Sequence, residues 1–121
     1  MKSVSFDPAA GFVTIAFTGS VDDSEWFAAF EEIERAAPSH WLLIDLSEAQ
    51  TRQLTSLAVR KSALHMSPAV LRGCALVASE LASFGLARMF EIYADNPGVA
   101  AFRDLDSARK WLAKRLRDEQ R

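Results

Sequence analysis

The residues of this chain best suited to chemistry fall in one stretch, DLSEAQTRQLTS, from Asp45 to Ser56. A hydrophobic run, WLLIDL, stops there at a carboxylate and a hydroxyl, and a helical pattern opens a few residues later. The unpaired amides and positive dipole end of a helix N-terminus attract anions. Thr51, Thr55 and Ser56 could add hydroxyl contacts, Arg52 or Arg60 a charge, and Asp45 and Ser47 further hydrogen bonds. In open α/β sheets ligands bind beyond the carboxyl ends of strands, where this loop should lie. The competing reading is local: Thr51 or Thr55 caps the helix, and Asp45 and Ser47 satisfy loop amides.

The parts for catalysis are sparse elsewhere. His40 precedes a tryptophan at a strand start, His65 ends a helix, and Cys74 is the only cysteine, so a zinc or nucleophilic site has no visible set of partners. The apolar setting of Cys74, GCALVA, suits a buried thiol. Neither GxGxxG nor GxxxxGK[ST] occurs, so dinucleotide and P-loop binding lack their glycine turns. The carboxylate pairs Asp22/Asp23 and Asp104/Asp106 sit where helix starts favour negative charge. No enzyme, metal or cofactor is expected.

The elements that must position these residues follow from periodicity. FVTIAF, WLLIDL, CALVA and VAAF have strand length and partly β-branched or aromatic content, and SVSF (Ser3 to Phe6) can pair with the first of them as a hairpin. Asp22 and Asp23 open a helix on which Trp26, Phe30, Ile33 and Ala37 share a face, with Pro38 closing it. A second helix spans Leu54 to His65, with Leu54, Leu57, Ala58 and Leu64 available for burial. The third, ELASFGLARMFEIYA (Glu80 to Ala94), is apolar around much of its circumference, and Gly85 within it invites close contact. The last is capped by Asp104 or Asp106, buries Ala108, Trp111, Leu112 and Leu116, and turns its basic residues outward. Strands alternating with helices predict a mainly parallel sheet with helices laid against it.

Composition sets the outer bounds. At 121 residues the chain is one domain, 1–121, half hydrophobic and a quarter charged. No apolar run approaches the roughly 18 residues of a membrane span, and the N-terminus lacks the apolar core of a signal peptide, so cytoplasm is the expected location. The formal charge of −2 is unevenly spread: residues 1–50 carry two basic and nine acidic side chains (−7), and residues 51–121 carry twelve and seven (+5). Such polarity can guide self-association or an acidic partner. Nucleic acid is not expected, because the C-terminal basic residues are interspersed with acids and the domain is net acidic.

Taken in order, FTGSVDDSEW, IDLSEAQ, CALVAS followed by FGLARMFEIYA, and FRDLDSARKWL resemble the SpoIIAA-like, or STAS, superfamily, and in particular its small stand-alone members of unassigned activity. The resemblance runs from Phe12 to Leu116. It implies an α/β fold with a mainly parallel sheet of roughly five strands in chain order, an antiparallel N-terminal strand and four helices. It also implies a mostly non-enzymatic role: anti-sigma-factor antagonists bind partner kinases, and related domains bind nucleotides or hydrophobic ligands, with a structural likeness to CRAL-TRIO lipid-transfer domains. In the antagonists Asp-Leu-Ser at a strand end is followed by Asp-Ser-Ser-Gly, whose first serine is phosphorylated. The matching stretch here is Gln53-Leu54-Thr55-Ser56, with leucine in the acceptor position, so the phosphoacceptor is not carried over.

The expected role is a non-catalytic regulatory or binding module that associates with a protein partner or with itself. Its expected contact residues are Phe84, Leu86, Arg88, Met89, Phe90 and Tyr93, since aromatic, methionine and arginine side chains are enriched where partners meet. The alternative is binding of a small hydrophobic or anionic ligand, lipid-like or nucleotide-like, between the Ser47–Ser56 loop and the Phe84–Tyr93 helix. Asp45, Ser47, Thr51, Arg52, Thr55 and Ser56 would then hold it.

Overall fold

The structure, a computed structural model, describes residues 2–7, 11–36, 41–64 and 72–119. Strand β1 (Lys2–Asp7) pairs antiparallel with β2 (Phe12–Ser20). Helix α1 (Asp23–Ala36) leads to β3 (Trp41–Gln50), α2 (Ser56–Leu64), β4 (Gly73–Val77), α3 (Leu81–Ala94), β5 (Val99–Phe102) and α4 (Leu105–Glu119). The five strands lie side by side in chain order, and every pairing after the first is parallel. This is the α/β sheet that the alternating patterns predict. Ala37, Pro38, His40 and His65 lie outside the described residues.

Side-chain alternation assigns the two faces of the sheet. Val13, Ile15 and Phe17 of β2, with Leu42, Ile44 and Leu46 of β3, point to the layer formed by α1, α2 and α3. Trp26 stacks on Phe17 at 5.7 Å and meets Phe30 edge-on at 5.1 Å, and Phe30 stacks on Phe90 of α3 at 5.8 Å. These rings join strand, first helix and third helix, and each buried large side chain contributes about 1.5–3 kcal/mol.

Among the described residues, the opposite face carries α4 alone. Ala108 and Leu112 are buried against Trp41, Leu43, Ala75 and Val77, flanked by half-buried Trp111 and Leu116. Beyond α4 the same face presents half-buried Thr14 and Ala16 of β2. Strand β4, covered on both sides, is buried throughout. Gly73 is required there, because a Cβ would run into the Trp41 ring and the Gly98 carbonyl.

Caps fix the helix starts. Glu25 N–H donates to Asp22 Oδ1 at 2.8 Å, and Ser107 N–H to Asp104 Oδ1 at 2.8 Å, so Asp104 caps the last helix and Asp106 does not. Helix α2 begins at Ser56, not at Leu54, since Thr55 takes the cap. Its buried residues are Ala58, Val59, Ser62 and Ala63, which turns Leu57 and Leu64, two of the residues available for burial by spacing, to solvent at 55% and 63% exposure. Small residues win the inner face because α2 lies close between α1 and α3, where Trp26 donates into it.

Candidate functional site

The loop residues that looked like one ligand set are divided by the sheet. Asp45 is in register with Ala16 and Val77, and Val77 packs on the α4 side. Its carboxylate accepts from both the N–H and the hydroxyl of Ser47, at 2.9 and 2.6 Å, a closed local turn. Thr51 lies on the other side, where its hydroxyl and that of Ser83 are 2.8 Å apart, both buried. Thr55 donates from its N–H and hydroxyl to the Asp23 carboxylate at 2.7 and 2.8 Å, and its hydroxyl accepts from Ala58 N–H at 3.1 Å. Thr55 is thus the α2 cap, braced by the start of α1. Arg52 and Ser56 are exposed.

What the loop does share with α3 is an open groove of about 590 Å3, lined by Gln50, Thr51, Arg52, Glu80, Ala82 and Leu86. Ser56 belongs to a separate, smaller recess of about 210 Å3 with Leu57, Arg60, Met89 and Tyr93. The residues expected at the contact helix are likewise sorted by depth. Phe90 is 0% exposed among Trp26 and Phe30, so it is core and drops out of the candidate surface. Phe84 and Leu86 are half-buried, and Arg103 covers the Phe84 ring at 5.0 Å. Arg88 binds both Glu91 oxygens at 2.8 Å, the structural pairing open to it. Met89 is half-buried and Tyr93 exposed beneath Arg60, 5.4 Å from its ring centre.

The apolar side chains left in solvent include two, Leu81 and Ile92, that the sequence reading did not single out. Among the described residues, the large apolar side chains exposed to solvent are Leu57, Leu64, Leu81, Ile92 and Tyr93, and all five lie on α2 or α3. Leu57, Arg60 and Leu64 follow i, i+3, i+7 spacing on one helix, and Leu81, Gly85, Arg88 and Ile92 follow i, i+4, i+7, i+11 on the other. Gly85 has open space where a Cβ would be, so it meets no close packing among the described residues. The stripe through Leu81 and Ile92 was legible as spacing; what hid it was the equally apolar inner face.

Burial pushes the Cys74 thiol well above its ordinary range, and hydrogen bonds from the Ser107 N–H and hydroxyl hold Asp104 below the ordinary carboxylate range. Among the described residues no three His, Cys, Asp or Glu side chains are grouped to hold a metal ion, and no helix is long and apolar enough to cross a membrane.

This topology, with β1 antiparallel, four parallel strands in chain order and three helices against one, is a SpoIIAA-like α/β fold. An uncharacterised protein of the DUF3478 family from Shewanella loihica PV-4, itself with a SpoIIAA-like fold, aligns with 93% of this chain and 92% of its own at a TM-score of 0.62 and 15% identity. At that identity the likeness shows the fold. No protein-family model matches the chain, and no curated protein matches it in sequence.

Proposed function

We propose that this SpoIIAA-like domain is a non-catalytic regulatory or binding module that works by protein association through the outer face of α2 and α3. One observation carries the reading: every large apolar side chain exposed among the described residues is gathered on these two adjacent helices. Where exposed apolar side chains collect on one part of a surface, a contact site is the usual reason. Arginine and aromatic side chains, Arg88 and the Arg60–Tyr93 stack, stand at the same face, a composition typical of contact cores.

The groove between Arg52 and Leu86 favours a second reading, a small ligand with an anionic or apolar part. Its size falls in the range of ligand sites, and it lies at the start of α3, whose Glu80 side chain makes no capping bond. Glu80 in its wall opposes an anion, which places this reading second.

Native mass spectrometry of the protein recovered gently from cells producing it separates the two. The association reading predicts a bound polypeptide that is lost from Leu81→Ser/Ile92→Ser protein of unchanged melting temperature. A bound small molecule lost on Arg52→Ala would favour the groove. A bare chain in both proteins would overturn the association reading.

A further inference from the structure

The α3 surface is charged in a way that suits one particular partner. A two-fold contact brings a patch against its own copy, so the patch must be complementary to itself. The exposed face of α1 carries Asp22, Glu31 and Glu34 against Arg35, and a two-fold contact there would set acid on acid. That of α4 carries Arg109, Lys110, Lys114 and Arg117 against Asp104, Asp106, Asp118 and Glu119, so it could offer a copy of itself ion pairs but little else. Joining α1 of one copy to α4 of another would match charges. Neither face, however, exposes a large apolar side chain among the described residues, and exposed ion pairs alone hold little.

The outer face of α3 meets the requirement. Leu81 and Ile92 supply apolar area, at 77% and 65% exposure. Glu80 and Arg88 supply opposite charges, and they stand four residues to either side of Phe84, next to Gly85. A two-fold axis at this level runs the two helices antiparallel and sets Glu80 of each copy beside Arg88 of the other. At the crossing Gly85 presents bare backbone, with nothing within 4 Å of the missing Cβ. A glycine there lets two helices approach more closely than any other residue would. Within the chain Gly85 serves no packing need, although it weakens the helix.

We infer that the partner of this face is a second copy of the same chain, in an antiparallel α3-to-α3 contact that crosses at Gly85 and pairs Glu80 with Arg88 between copies. The inference rests on the reading of the α2–α3 face as an association surface and adds the identity of the occupant.

Sedimentation equilibrium of the purified full chain over a concentration series tests it, with thermal melting of each variant beside it. Wild-type protein is expected to reach the dimer mass. Gly85→Leu, which replaces a weak helix former by a strong one in open space, is expected to melt no lower than wild type at a dilution where both are monomeric, yet to dimerise about tenfold or more weakly. Arg88→Glu is expected to weaken the dimer, and Glu80→Arg/Arg88→Glu to restore it, although the double variant still lacks the Arg88–Glu91 pair within the chain. A wild type that stays monomeric throughout overturns the inference; so does a dimer that Gly85→Leu leaves unchanged, or that the charge exchange does not rescue. If the chain is monomeric but the Leu81→Ser/Ile92→Ser protein loses a foreign polypeptide, the association reading survives and self-pairing alone fails.

Discussion

The indole N–H of Trp26 on α1 donates to the hydroxyl of Ser62 on α2 at 2.8 Å, in the buried layer between the two helices, and that hydroxyl donates onward to the Val59 carbonyl at 2.9 Å. Ser62→Ala strands the indole N–H without an acceptor, and a buried unsatisfied donor costs about 1–3 kcal/mol. Urea unfolding should show a loss of that size. The same substitution made on Trp26→Phe, where no donor remains, should cost clearly less. Equal losses in both backgrounds would show that the bond contributes nothing.

Gly85 and Gly73 should respond to alanine in opposite ways. Gly85 faces open space inside a helix, so Gly85→Ala should raise the stability of the monomer by about 0.5–1 kcal/mol, measured at dilution. Gly73→Ala forces a Cβ into the Trp41 ring and the Gly98 backbone, and should lower the melting temperature sharply or prevent folding.

Cys74 should be inert in the folded protein. It is 0% exposed in β4, and burial raises its thiol far from the thiolate form that reacts. Alkylation followed by mass spectrometry should therefore proceed at the rate of unfolding, and rise steeply only across the urea transition.

Asp104 makes a pH-dependent contribution whose sign is fixed by its cap. The Ser107 N–H, and after it the Ser107 hydroxyl, hold the carboxylate in the charged form, so its folded value lies below the unfolded one. The stabilisation is complete above the unfolded carboxylate's range and is lost as pH falls through the folded value. Ser107→Ala removes the hydroxyl bond but keeps the backbone one, and should move the Asp104 titration, followed by carboxyl-carbon NMR, part of the way up toward the ordinary range.

These residues also show how far the sequence could be read. The helix faces of α1 and α4 were legible because one period governs each: Trp26, Phe30 and Ile33 recur at helical spacing against a charged remainder, and so do Ala108, Leu112 and Leu116; the order of the strands came with the family resemblance. Helices α2 and α3 resisted because apolar residues occupy both faces, and only the tight fit around Ser62, Ser83 and Ala87 decides that small side chains turn inward. The loop from Asp45 to Ser56 was hard to read for a different reason. Residues close in sequence, Asp45 and Thr51, end on opposite sides of the sheet, and the Thr55 hydroxyl is taken up by Asp23, a partner 32 residues away. Such long-range placement leaves no local signal.

Side-chain footprinting by a photochemically generated carbene tests the central claim most directly, comparing the chain at high dilution with the chain in its assembled state. Leu81, Ile92 and Tyr93 should be labelled in the dilute chain and protected on assembly, while Phe90 stays unlabelled in both and the outer faces of α1 and α4 are labelled equally in both. Unchanged labelling of Leu81 and Ile92, or protection that appears on α1 or α4 instead, would contradict the assignment of the α2–α3 face as the surface through which this domain acts.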